Sequence, residues 1–134
     1  MPRGWGTPGT ATWIRDALTL LGESWPKRVH NEVKRWAQQG GYVPPSYKSI
    51  RKLFYCLRRL GLIELVRQEP VEGKPWLFPR NIYRVTPGME FAPGWRDPET
   101  ALYHPKKFAQ RTAFRARWSS PEEYMEWVRL NRTG

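Results

Sequence analysis

Lys48, Arg51, Lys52, Tyr55 and Arg59 recur at intervals of three and four residues, and no Asp or Glu occurs between Glu32 and Glu64. Wound as an α-helix, at about 100° per residue, these side chains share one face. The opposite face takes Tyr47, Ile50, Leu53, Phe54, Leu57 and Leu60. A face of cations and a tyrosine, with no carboxylate to neutralise it, binds anions. Its guanidinium and ammonium groups offer charge-assisted hydrogen bonds, which suit phosphate oxygens best. A charged helix face is often merely solvated, so the rest of the chain has to decide whether this one has a target.

The chain has 134 residues with a net charge of +11. Such a charge attracts polyanions and makes association with them salt-dependent. It is also uneven, because fifteen of the 23 basic residues but only six of the 12 acids lie in residues 1–88. The attraction comes mainly from the middle of the chain. Cys56 is the single cysteine. One thiol cannot form an internal disulfide, which points to a reducing compartment. Neither a signal-peptide core nor an apolar run of about 20 residues is present. The expectation is a cytoplasmic protein, nucleoid-associated if DNA-bound, with no membrane contact.

Other chemistry finds little support. His30 and His104 lack Cys, Asp or Glu at metal-ligand spacing. Cys56 has no neighbouring histidine and falls at the border between the two faces of its helix. Glu122 and Glu123 follow Ser120 with the spacing of a helix capping box. No enzyme, metal or cofactor is expected.

The elements around the basic face can be read from punctuation and periodicity. A first helix spans Thr10 or Thr12 to Leu21, with threonine as cap and Gly22 at its end. A second spans Pro26 to Gln39, with Ser24 as cap candidate, and buries Val29, Val33, Trp36 and Ala37. Lys27, Arg28, Asn31, Lys34, Arg35 and Gln38 look outward. After Gly40-Gly41 and an extended Pro44-Pro45 connector, Ser46 caps the third helix and Gly61 ends it. A strand follows from Leu62 to Glu69, then a proline-rich loop, Pro70 to Pro79. A second strand from Arg80 to Thr86 turns Tyr83 and Val85 to one face.

Residues 1–9 read as a flexible arm carrying Arg3 and Trp5. Residues 89–134 form an extension: a loop to position 104, a basic helix near 106–118 begun by Pro105, and a terminal helix near 120–131. Trp76 and Phe78 in the proline-rich loop either fold back onto this extension or offer a protein contact, and folding back is the favoured expectation.

The fold class is therefore mainly α with a small antiparallel β-wing, an α+β domain over residues 10–88. Three helices, the third running into Leu-Arg-Arg-Leu-Gly-Leu-Ile, then a strand pair closing on Asn-Ile-Tyr-Arg-Val-Thr-Pro-Gly, resemble the winged helix-turn-helix DNA-binding superfamily. The layout is most similar to PadR- and MarR-like regulators.

The resemblance implies a small transcriptional regulator that binds double-stranded DNA with helix 46–60 in the major groove and loop 70–80 as a wing. It implies that Lys48, Ser49, Arg51, Lys52 and Tyr55 face bases and phosphates. Arg51 is the first choice for a bidentate contact to guanine and Lys52 the second. Lys48 and Arg59 become phosphate clamps, joined by Lys34 and Arg35 on the second helix and by Lys74 and Arg80 in the wing. Homodimerisation is compatible with this layout. The alternative is a protein-interaction module, an accessory factor of a polymerase or replication complex gripping its partner through Trp76, Phe78 and the terminal helix. RNA binding ranks third.

Overall fold

A computed structural model describes residues 9–109. The arm ahead of Gly9, with Arg3 and Trp5, and the helix expected near 120–131 lie outside the described residues. Three helices and a β-hairpin follow in order: α1 (Thr10–Leu21), α2 (Pro26–Gln39), α3 (Tyr47–Arg59), β1 (Ile63–Glu69) and β2 (Arg80–Val85). The result is a mixed fold, helices with one two-stranded antiparallel sheet.

Each helix boundary has a local cause. The cap of α1 is Gly9 rather than a threonine, and the Thr12 hydroxyl instead donates to the Gly9 carbonyl at 2.6 Å. Pro26 opens α2, where its missing N–H has no helical partner to lose. Ser46 caps α3, its hydroxyl oxygen accepting from the Ser49 N–H at 3.1 Å. Gly61, at φ +76°, turns the chain from α3 towards β1 in a conformation that suits glycine.

Ser24 does not cap α2. It is fully buried, and its backbone forms a two-bond bridge with Tyr83 of β2, Ser24 N to Tyr83 O at 3.0 Å and Tyr83 N to Ser24 O at 2.7 Å. The α1–α2 connection thus lies along the free edge of the hairpin. The strand register runs Ile63↔Val85 and Leu65↔Tyr83, then shifts so that Arg67 faces Ile82, leaving Val66 as the extra residue of a bulge. Ile82 and Tyr83, neighbours in sequence, are both buried, whereas the sequence pattern points only Tyr83 and Val85 inward.

The core gathers Ile14 and Leu18 of α1, Val29 and Val33 of α2, Ile50, Phe54 and Leu57 of α3, and Ile63 and Tyr83 of the hairpin. Trp36 is only half-buried and lines an open groove of about 710 Å³ with Asp16, Leu20 and Tyr42.

The extension returns to this core. A 3₁₀ turn at Pro93–Trp95 and a short helix, α4 (Pro98–Tyr103), replace the loop expected for residues 89–104. Trp95 is 1% exposed and its indole N–H donates to the Met89 carbonyl at 2.7 Å. A buried tryptophan is worth roughly 5 kcal/mol of gross hydrophobic stabilisation before chain entropy is subtracted. Asp97 caps α4 by accepting from the Thr100 N–H at 3.2 Å, and α4 packs on α3. Residues 105–109 are again helical, as expected after Pro105; the remainder of that expected helix lies outside the described residues.

Candidate nucleic-acid interface

The serine cap and the apolar stripe orient α3 so that Lys48, Arg51, Lys52, Tyr55, Arg58 and Arg59 are all exposed. Ser49 stands apart from them. Its N–H donates to Ser46 Oγ, and the two serine hydroxyls lie 3.0 Å apart, so Ser49 serves the cap. Arg59 is held in place, its Nη1 donating to the Tyr55 hydroxyl at 2.8 Å.

Ten cations of the described residues divide by the company they keep. Arg15 pairs with Asp16, Arg35 with Glu32, Arg67 with Glu23 and Glu69, and Arg84 with Glu64. The guanidinium of Arg67 is pushed up from its ordinary pKa by its hydrogen bonds to Glu23 and Glu69. These cations are largely neutralised. A second set lies over aromatic rings instead. Lys27 and Arg51 both approach the Tyr47 ring, at 4.9 and 5.9 Å from its centroid. Arg28 and Arg80 both approach Trp25, at 5.5 and 4.6 Å. Arg58 lies over Tyr83 at 6.0 Å and Arg59 over Tyr55 at 5.7 Å. A ring face steadies a cation without cancelling its charge, which leaves the charge for an anion from outside.

These contacts link three elements. Tyr47 joins the start of α3 to Lys27 in the first turn of α2. Trp25 joins Arg28 in that same turn to Arg80 at the start of β2. The basic surface therefore runs from α3 across α2 to the root of the hairpin loop. No protein-family model, curated protein or solved structure matches this chain. Its chemistry has to be read from these side chains.

Lys48, Arg51, Lys52, Tyr55 and Arg59 come together as the sequence predicts. Arg80 joins them through Trp25. Lys34 is exposed on α2, two turns beyond Lys27 and on the same edge, whereas the Glu32 ion pair neutralises Arg35. Lys74 is exposed in the turn of the hairpin loop, its N–H donating to the Val71 carbonyl at 3.0 Å. Sequence reasoning passed over Lys27 and Arg28 as ordinary outward-facing residues. The available signal was an aromatic residue at two helix starts, Trp25 ahead of α2 and Tyr47 at the first position of α3.

Among the described residues one acid reaches the basic face of α3. Glu99 of α4 lies 3.3 Å from the Lys52 ammonium. Beneath this pair Cys56 is fully buried, not at an open border. Burial first, and then the Glu99 charge, push its thiol above the ordinary pKa, while a hydrogen bond to Tyr103 partly opposes the shift. The thiol is therefore protonated and a poor nucleophile at neutral pH. His30 is likewise structural, its Nε2 lying 3.0 Å from the Pro45 carbonyl and its ring against Tyr47.

Trp76, Leu77 and Phe78 do not fold back onto the described part of the extension. They are 75%, 46% and 95% exposed. The apolar run of this loop is too short, and too closely bounded by Pro75 and Pro79, to reach the core while both strands stay in register. Among the described residues no helix is long and apolar enough to cross a membrane.

Proposed function

We propose that this chain is a double-stranded DNA-binding protein of winged helix-turn-helix layout, a small transcriptional regulator. In this reading α3 enters the major groove and the hairpin loop is the wing. The carrying observation is the second set of cations: Lys27, Arg28, Arg51, Arg58, Arg59 and Arg80 lie against aromatic rings, while Arg15, Arg35, Arg67 and Arg84 lie against carboxylates. Arg51 on the exposed half-turn of α3 is the base-reading candidate, and Lys48 beside it is a phosphate contact. Lys27, Arg28, Arg59 and Arg80 supply phosphate contacts that fix the register of the helix in the groove.

Duplex binding measured across a range of salt concentrations tests the reading. These five phosphate contacts give a slope of log K against log salt of about −4.5. Replacing Lys48 and Arg51 together by alanine should weaken binding at every salt concentration. Salt-independent binding, or a double variant that binds as the parent does, removes the groove assignment.

A second reading rests on a different observation, the exposed run Trp76-Leu77-Phe78. It makes the domain a protein-interaction module that grips a partner within a polymerase or replication complex. Duplex affinity unaffected by the α3 substitutions, with a partner protein lost on changing Trp76 and Phe78, favours that reading.

A further inference from the structure

We propose that Phe78, backed by Trp76, is an apolar wedge that enters between base pairs of duplex DNA from the minor groove and bends the duplex. The proposal rests on the DNA-binding reading above and goes beyond it, because it assigns the aromatic loop a ligand and an action.

Phe78 is 95% exposed and Trp76 75% exposed. Large apolar side chains held this far out of a folded domain mark a contact surface. The loop holds them out by construction. Pro70, Pro75 and Pro79 restrict its backbone, and Gly73 makes its turn at φ +73°. The Lys74 N–H donates to the Val71 carbonyl at 3.0 Å and the Leu77 N–H to the Lys74 carbonyl at 3.1 Å. A stiff loop loses little entropy when it binds, which favours an inserting element.

The surroundings of the wedge indicate its target. Lys74 and Arg80 flank the aromatic run, with Glu72 the one acid of the loop. Arg80, two residues after Phe78, is the last member of the stacked chain that leads back through Trp25, Arg28, Lys27 and Tyr47 to Arg51. Along the chain the wedge thus adjoins the last cation of the basic surface. An apolar pocket on a protein has no need of cations on both sides, whereas a phosphate backbone on each side of a groove does.

The energy balance of such a wedge is familiar. Separating one base step loses stacking, and the step recovers it against the inserted ring, while bending brings more phosphate within reach of the flanking cations. Flexible pyrimidine–purine steps separate most readily, so sites with a central TA or CA step should be preferred.

The test uses the full chain and a duplex of about 30 base pairs, labelled at both ends for energy transfer and carrying 2-aminopurine beside a central TA step. The parent should shorten the end-to-end distance and raise the 2-aminopurine fluorescence several-fold. Trp76→Ala/Phe78→Ala should still bind with a steep salt dependence, about tenfold more weakly, and should lose both signals. Phe78→Leu should retain them, since leucine also serves as a wedge. Both side chains are exposed, so circular dichroism of the double variant should match the parent. A parent that binds duplex without bending or unstacking it overturns the wedge and leaves the DNA reading standing. A double variant that bends and unstacks like the parent also overturns the wedge and returns the aromatic run to a protein partner. A parent that binds no duplex at low salt takes down both.

Discussion

The ammonium of Lys52 lies 3.3 Å from a carboxylate oxygen of Glu99, across the junction of α3 and α4. Both side chains are about half exposed, 59% and 47%. An ion pair in that setting contributes little to stability, about 0–1 kcal/mol. Its effect on a polyanionic ligand is larger in consequence. On the DNA-binding reading, Glu99 places a negative charge beside the face that would meet phosphate, and it occupies a cation that the face could use.

Glu99→Gln should therefore raise duplex affinity, by about two- to fivefold at low salt, the equivalent of releasing one exposed pair. The gain should shrink as salt rises, because exposed charges more than a Debye length apart are screened. Titrating parent and variant at two ionic strengths checks this. Unchanged affinity at low salt would mean that Lys52 and Glu99 lie outside the contact area.

Arg51 and Arg59 should respond differently to substitution. Arg51→Lys keeps the charge and loses the planar fork. It should lower discrimination between the best site and a single-base mismatch by about 1–3 kcal/mol while leaving the salt slope nearly unchanged. Arg59→Ala should weaken all duplexes alike and reduce the slope by about 1. Competition between matched and mismatched duplexes separates the two; equal loss on both from Arg51→Lys would demote Arg51 to a phosphate contact.

Tyr83 ties the sheet to the helices. Its ring lies 5.4 Å from that of Phe54, its backbone bridges to Ser24, and Arg58 lies over its face. Tyr83→Ala should cost about 3–5 kcal/mol by cavity formation. Tyr83→Phe keeps the buried ring and should cost about 1 kcal/mol or less. Urea denaturation of both variants gives the comparison, and similar losses would point to the hydroxyl.

Cys56 makes stability depend on pH in the alkaline range. Its folded pKa is raised, so the fold favours the protonated thiol. This contribution is complete below the unfolded thiol pKa of about 8.5 and is lost as the pH rises through the folded value. Between neutral pH and pH 10 the parent should lose stability relative to Cys56→Ala, whatever the difference at neutrality. Parallel curves for the two would exclude the thiol as the source.

Much of this arrangement is legible in the sequence, and its gaps have physical causes. Pro26 and Ser46 mark helix starts through local backbone chemistry, so α2 and α3 begin where they are read. The apolar stripe of α3 fixes which way Lys48, Arg51, Tyr55 and Arg59 face. Ser24 misleads because a serine ahead of a proline at a helix start has the pattern of a cap. Its actual partner, Tyr83, is far along the chain. Residues 89–104 hide α4 because a six-residue helix has too few turns to show a period. Glu99 reaches Lys52 only through that helix, so an acid-free stretch of sequence is not an acid-free surface. The stacked cations escape notice because at three of the four rings, Tyr47, Trp25 and Tyr83, a cation comes from a different element.

The two backbone hydrogen bonds between Ser24 and Tyr83 also set how the chain can be divided. A fragment ending after α3 contains all the α3 cations, yet it leaves the Ser24 N–H and carbonyl without their partners and uncovers Phe54. A portion that keeps these partners therefore extends at least through β2, and one that keeps Trp95 in the core extends further. Helix α3 and the hairpin are a single inheritable unit: neither could be grafted onto another scaffold without carrying the other along.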